Sequence, residues 1–387
     1  MRILIVHNRY TLAGGEDTVV DSEVAALREL GHDVELLEAH NREPEETGEG
    51  RLAVARRAVW SREAASRVRE TVNRFSPDVA HVHNHVYELS ASVFDALADA
   101  GVPIVQTLHN YRMTCSATYL LRDGAPCELC VGSKAAWHGI RYRCFRDSAP
   151  GSVMLAGMQL AWRRAAVPNV TRFIVLTDFA RDVFERAGIP SDRLVVRPNT
   201  VRDVGFAGSG RADDAPLLFV GRLEATKGID ALVEAIGDHR LLVAGDGPLR
   251  AELEQRAPRK VTFLGRLPRD KVDELMRSAR ALVVPSTWYE GFPMVVLEAF
   301  AAGTPVVASD LGALAEVVPA PECGWRVPPR DVSRLAAMLD QVMSDTAGAE
   351  GRGAAARQRY EARYTQEPVM SQLEQIYADA IAARSAT

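Results

Sequence analysis

No stretch of this sequence approaches the roughly 18 consecutive apolar residues that a membrane-spanning helix needs. The opening MRILIVHNRY lacks the long apolar segment and small-residue cleavage site of a secretory leader. A cytoplasmic protein is expected. Charge of one sign is also scarce: 46 basic against 51 acidic residues leave a formal net charge of −5, with no electrostatic footprint for nucleic acid or an anionic membrane as the main partner. Cysteine is also sparse, five in 387 residues, and disulfides are not expected in a cytoplasm. Short repeats and low-complexity tracts are missing as well.

What the chain does have is a recurring alternation. Short β-branched runs bounded by Gly, Pro or Asp are each followed by a stretch of helical length, the pattern of βαβ units and parallel sheets. In the first half these runs are RILIVH (2–7), DVELLEA (33–39), DVAHVH (78–83), PIVQTLH (103–109) and RFIVLT (172–177). Between the first two, Val20, Val24, Leu27 and Leu30 follow helical spacing up to a stop at Gly31. The rhythm restarts with APLLFVG (215–221), RLLVAG (240–245), VTFLG (261–265), ALVVPS (281–286) and PVVAS (305–309). At one domain per roughly 100–200 residues, the expectation is an α/β chain of two doubly wound, Rossmann-like domains, 1–201 and 202–365. The segment RDVGFAGSGRADDAP acts as the linker, and a final helix over 366–387 packs back on the first domain. Ligands of such sheets sit at the carboxyl ends of the strands, so two facing sheets imply a cleft between them.

The motifs fall where that rule puts them. After ALVVPS comes TWYEGFPMVVLEAFAAG. Gly291 suits the turn, Pro293 the first helical turn and Gly303 the stop. The amides near Phe292, Met294 and Val295 then point out of a helix start, which makes an anion site. Glu298, little more than a turn inside, leans back toward the same end. It can accept from vicinal hydroxyls such as those of a ribose, and Glu290 can accept from a second polyol. Both glutamates also suit a capping role, but an unpaired carboxylate in an apolar helix is costly, which favours a ligand. FVGRLEATKGID places Arg222 and Lys227 just past a strand, a fork and a point charge suited to diphosphate oxygens. VAGDGPLRAEL carries Gly245 and Gly247 but has Arg250 where a dinucleotide fingerprint needs its third glycine, which disfavours a dehydrogenase. In YTLAGGEDTVV, Gly14 and Gly15 either allow a phosphate or sugar to approach the backbone or simply make a turn.

EGFPMVVLEA resembles the E-x7-E signature of retaining family-4 glycosyltransferases, a GT-B group of two Rossmann-like domains, and GR-x4-KG resembles their diphosphate motif. The resemblance covers nearly the whole chain. It implies that Glu290 and the following amides (Gly291, Phe292, Met294, Val295) contact the donor sugar and its phosphate, that Glu298 binds the ribose, and that Arg222 and Lys227 hold the diphosphate. Gly14, Gly15, Gly245 and, through FLGRLP, Arg266 join the donor set. His109 in LHNYR matches a histidine beside the donor hexose and, with Arg222, Lys227 and Glu290, makes the expected catalytic set. Glu16, Asp17, His83 and Asn84 are the expected acceptor-side residues. No D-x-D occurs, so departure of the diphosphate is expected to proceed without a catalytic metal, assisted by cations and helix amides. The expected activity is transfer of a hexosyl unit, GlcNAc or glucose, from a UDP-linked donor to a small polar acceptor.

The GGED loop, the histidine-rich strand end and a cysteine-bearing insert resemble glycosyltransferases that act on aminocyclitols in antibiotic biosynthesis. Competing readings are a polysaccharide or lipid-linked acceptor, a nucleotide-sugar epimerase, and a non-catalytic nucleotide-sugar-binding module. In the insert, Cys115, Cys127, Cys130 and Cys144 are spaced C-x11-C-x2-C-x13-C, close to a tetrahedral zinc pattern. Structural zinc and free buried thiols both stay open, and Cys323 stands apart.

Overall fold

The computed structural model describes the chain except residues 12–13, 42–49, 134, 207, 209, 213 and 386–387. It divides into two compact units, one of residues 1–122, 127–198 and 369–387, the other of 123–126 and 199–368.

The first unit holds β1 (Arg2–Arg9), α1 (Gly15–Glu29), β2 (Asp33–His40), α2 (Arg51–Val59), α3 (Arg62–Phe75), β3 (Val79–Val82), α4 (Ser92–Asp99) and β4 (Ile104–Leu108). A 3-10 turn (Tyr111–Met113) leads into the insert, with β5 (Leu121–Arg122) and α5 (Trp137–Arg141) in this unit, while β6 (Ala125–Pro126) belongs to the second. Then come α6 (Ala149–Asn169), β7 (Arg172–Val175), α7 (Asp178–Arg186) and β8 (Leu194–Val196). Six parallel strands pair in the order β2-β1-β3-β4-β7-β8. Strands β3 and β4 are buried along their whole length, polar His81, Gln106 and Thr107 included. Val20, Val24 and Leu27 of α1 enter the core with Ile3 and Ile5. Leu30 does not: it caps the helix and is 50% exposed, because the helix ends before the apolar stripe does.

The second unit holds β9 (Leu217–Val220), α8 (Ile229–Ala235), β10 (Leu241–Ala244), α9 (Arg250–Arg256), β11 (Val261–Gly265), α10 (Arg269–Ser278), β12 (Ala281–Val284), α11 (Met294–Ala301), β13 (Val306–Ser309), α12 (Gly312–Val317), β14 (Gly324–Val327), α13 (Val332–Ser344) and α14 (Thr346–Arg363). Its parallel sheet runs β11-β10-β9-β12-β13-β14. The final helix, α15 (Gln366–Ser385), carries Met370, Leu373, Ile376 and Tyr377 into the core of the first unit.

Both sheets reverse strand order beside their first strand, between β1 and β3 and between β9 and β12. The carboxyl ends of those strands are where an open α/β sheet presents a crevice.

Candidate functional site

At the β9/β12 reversal of the second unit lies a cavity of about 330 Å³, lined by Phe219 to Arg222 at the end of β9, by Lys227, by Val283, Val284 and Ser286 at the end of β12, and by Glu290, Phe292 to Val295 and Glu298. This is within the range of small-molecule sites, about 300–1,000 Å³. The start of α11 faces into it. Thus Arg222, Lys227, Glu290, Phe292, Met294, Val295 and Glu298, spread over 77 positions of sequence, border one space.

Local geometry explains how. Lys227 ends a 3-10 turn (Ala225–Lys227), and Gly228 follows with φ +66°. A Cβ there would stand 2.0 Å from the Pro285 carbonyl oxygen, so only glycine lets the lysine loop lie against the end of β12. The Thr287 N–H donates to Thr226 O at 2.9 Å and fixes the approach. Lys227 Nζ then donates to Glu290 Oε1 at 2.7 Å, and Ser286 Oγ donates to the same oxygen at 2.7 Å. The lysine also sits 5.1 Å from the Trp288 ring centroid, a cation–π distance. Arg222 is 62% exposed and reaches Glu224 at 3.1 Å.

Glu298 is buried on α11, but it has a partner: Arg269 Nη2, at the first residue of α10, stands 2.6 Å from Oε1. The carboxylate expected to lack a partner has one, which removes that part of the argument for a ligand and leaves its place on the cavity wall. Burial pushes its pKa up, against the pull of Arg269. Gly291 is not among the glycines of positive φ, unlike Gly303 at the helix stop, so its turn requires no special backbone angle.

Three expected donor residues of the second unit, Gly291, Gly245 and Arg266, are not on the cavity wall. Gly245 does not border the cavity; at φ +144° its missing Cβ admits the Gly221 carbonyl, which would otherwise be 1.8 Å away, so it serves the packing of β9 against β10. Arg266 is exposed beyond β11, also off the cavity wall.

In the first unit, the β1/β3 reversal gathers histidines. His83 Nδ1 meets His109 Nε2 at 2.9 Å, and both border a cavity of about 20 Å³ with Glu16, Asn84, Asn110 and Arg112. That is room for about one water. Sequence reasoning missed what holds this cluster. Glu23 of α1 is buried; Arg197 Nη1 donates to its Oε2 at 2.8 Å, and His81 and His83 stand 3.1 and 3.2 Å from Oε1. His81 also meets the Tyr377 hydroxyl and Thr107 Oγ1, each at 2.7 Å. Burial alone would raise the Glu23 carboxyl, but Arg197 and the two histidines hold it well below the usual range. Burial, reinforced by His83, holds His109 well below its usual value, so it is a neutral imidazole. Glu23, His81 and His83 are also the one group of three ligand-type residues, among the described residues, whose atoms all lie within 4.8 Å of one another; Arg197 already supplies the positive charge there.

Glu16 faces the small cavity while accepting from the Tyr10 hydroxyl at 2.7 Å. Asp17 does not: it is buried, bonded to His7 Nε2 at 2.8 Å and accepting from the Gly14 N–H at 3.0 Å. Asn84 donates to Asn8 O at 2.7 Å and accepts from the Val86 N–H at 3.1 Å, which braces the end of β1. A Cβ on Gly14 or Gly15 would meet nothing within 4 Å, and neither has a positive φ, so the fold does not demand glycine there. The four insert cysteines, Cys115, Cys127, Cys130 and Cys144, border one cavity with His138. Burial pushes the Cys115 thiol up to about 11 and raises Cys130 too.

The comparisons with known proteins divide the chain at the same place. Residues 14–200 match the Glycosyl transferase 4-like domain and residues 206–362 match Glycosyl transferases group 1. The chain belongs to the GT-B glycosyltransferases of this family. This glycosyltransferase is 38% identical over 179 residues to the glycogen synthase of Mycobacterium tuberculosis (strain H37Rv), a match taking in 43% of each chain and so less than half of that relative's length. It is 27% identical over 405 residues to the phosphatidyl-myo-inositol mannosyltransferase of Mycolicibacterium smegmatis, covering 97% of this chain and 93% of the relative. Among solved structures, sucrose-phosphate synthase from Thermosynechococcus elongatus superposes with a TM-score of 0.71 at 21% identity over 99% of both chains. The Anabaena protein HepE in complex with UDP gives 0.67 at 17% identity, over 98% of this chain and all of the other. At these identities the structural likeness shows the fold. No helix among the described residues is long and apolar enough to cross a membrane.

Proposed function

We propose that this glycosyltransferase moves a hexosyl unit from a nucleoside diphosphate sugar to an acceptor hydroxyl, and that the 330 Å³ cavity of the second unit is its donor site. The observation that carries this reading is the convergence of Arg222, Lys227, the α11 start and two carboxylates on one space. In that reading Arg222, Lys227 and the amides of Met294 and Val295 take the diphosphate and stabilise the charge it gains on departure. Glu298, oriented by Arg269, accepts from the ribose diol, and Glu290 accepts from the hexose. The reaction retains anomeric configuration, with the departing phosphate taking the acceptor's proton, and needs no catalytic metal.

UDP is the proposed nucleotide, with UDP-GlcNAc or UDP-glucose as donor; the HepE complex with UDP and glucose supports this by likeness of fold. The proposed acceptor is a small polar molecule such as an aminocyclitol, bound at the first unit near Glu16 and His109. Similarity to an alpha-D-kanosaminyltransferase of Streptomyces kanamyceticus, 27% over 241 residues, agrees with that class. Near full-length similarity to the phosphatidyl-myo-inositol mannosyltransferase favours a second reading, an inositol lipid as acceptor. Nucleotide release, measured with and without each acceptor class and each of UDP-GlcNAc, UDP-glucose and GDP-mannose, tests the proposal. Release dependent on one acceptor, with a glycosylated product by mass spectrometry, supports transfer. Donor isomerisation without acceptor supports an epimerase, and binding without turnover a recognition module.

A further inference from the structure

The insert between Thr114 and Ser148 of the first unit is held by something other than an apolar core. From Leu121 to Ser148, Ala136 and Gly139 are the only buried residues among those described, while Leu129, Trp137 and Tyr142 are exposed. Its regular structure in this unit amounts to a two-residue strand and the five residues of α5. The same stretch nonetheless holds an unusual backbone. Of ten non-glycine residues with positive φ in the described chain, six (Thr118, Leu120, Asp123, Arg143, Arg146 and Asp147) lie in or beside it. Such conformations persist only where their surroundings over-determine them, and small segments lacking a core are commonly stapled by disulfides or metals.

The thiols are where a staple belongs. Cys115, Cys127, Cys130 and Cys144 come from four points of the insert and border one cavity of about 20 Å³. The Cys127 N–H donates to Leu120 O at 2.7 Å, which closes the C-x2-C turn onto the Cys115 loop. A Cβ on Gly139 would stand 2.2 Å from Ser116 Oγ and 3.8 Å from Cys130 Sγ, so α5 approaches the thiols through glycine.

We infer that Cys115, Cys127, Cys130 and Cys144 bind one structural zinc ion that pins the insert directly after His109. No three of these sulfurs yet lie within 4.8 Å of one another, so binding draws the loops in until each sulfur stands about 2.3 Å from the ion. Four thiols give up four protons to solvent, and the Zn(Cys)₄ group carries two negative charges. Arg122, whose guanidinium lies 4.1 Å from the Tyr142 ring centroid on the cavity wall, offsets part of that charge. No exchangeable site is left, so the ion has no catalytic part.

Full-length protein purified without chelator and analysed by mass spectrometry for metals is expected to hold about one zinc per chain. Cobalt substitution is expected to give thiolate charge-transfer bands and the d–d bands of a tetrahedral site, which reads the ligands without any mutation. Serine at any of the four positions is expected to lower zinc content at least tenfold, whereas Cys323→Ser and His138→Gln leave it unchanged. Zinc loss in His138→Gln with retention in Cys144→Ser overturns the ligand set. Absence of zinc after purification and after incubation with ZnCl₂, with the thiols alkylatable or paired as disulfides by mass, overturns the site.

Discussion

Lys227 and Glu290 form an ion pair on the wall of the cavity, and the two roles open to that pair predict opposite outcomes. Lys227→Met removes the cation and leaves a carboxylate whose side chain is 9% exposed, with Ser286 as its remaining donor. The gross attraction at 2.7 Å is about 6 kcal/mol for an effective dielectric of roughly 20. The lysine is 26% exposed, so much of that is returned to water, and the net cost falls to about 2 kcal/mol. For a domain of this size that is a fall in Tm of roughly 4–8 °C. Glu290→Gln keeps an acceptor for both donors and costs less.

Binding separates the roles. A charge-assisted bond from Lys227 to a diphosphate contributes about 1.5–3 kcal/mol, so Lys227→Met is expected to weaken UDP by roughly 10- to 100-fold in calorimetry. Glu290 competes with that diphosphate for the ammonium. Glu290→Gln is therefore expected to tighten UDP several-fold while turnover of the UDP-sugar falls, since the acceptor for the hexose hydroxyls is weakened. A loss of Tm in Lys227→Met with UDP affinity unchanged, or a weakening of UDP by Glu290→Gln equal to that by Lys227→Met, would refute the assignment and make the pair a fold contact.

Because burial raises the Glu298 pKa, its carboxylate forms only as pH climbs above the ordinary value of 4.5, so UDP affinity should strengthen through that range; Glu298→Gln should flatten the profile, measured by calorimetry across pH. Histidines 7, 81, 83, 85 and 109 all have pKa values lowered chiefly by burial, so the unfolded chain takes up protons that the native one refuses; stability is full above about 6.5 and should fall on acidification by up to ~1.4 kcal/mol per pH unit per histidine, read by urea unfolding. Glu23→Gln leaves Arg197 and the histidines facing a neutral amide in the core and should cost about 3 kcal/mol or more in the same assay. Gly228→Ala meets both a positive φ and the Pro285 carbonyl and should cost at least about 2 kcal/mol with loss of UDP binding, whereas Gly15→Ala, with open space around it, should leave Tm unchanged or raised; lowered donor turnover in Gly15→Ala would show that the loop meets the donor.

The parts of this site that could be read from sequence are those written into local pattern. A strand followed by a turn and a helix places Arg222, Lys227 and Glu290 at strand ends without knowledge of which strands pair, because every such end lies on the same edge of a parallel sheet. What could not be read is whatever depends on that pairing. Arg269 opens α10 and Glu298 sits in α11, and nothing in LPRDKVDEL marks the arginine as a partner for a residue on another helix. Glu23 belongs to no motif of the sequence, yet it meets Arg197 at a separation of 174 residues and two histidines of β3 and its end. Asp17 and Gly245 show the complementary limit: a motif locates a residue on the functional edge but not the direction of its side chain, or the neighbour that its missing side chain admits. The buried polar cluster argues the same point through energy. A carboxylate buried between a helix and the end of a sheet is costly unless paired, so Glu23, Arg197 and His81 make sense only together, and a rule that weighs one residue at a time discounts each of them.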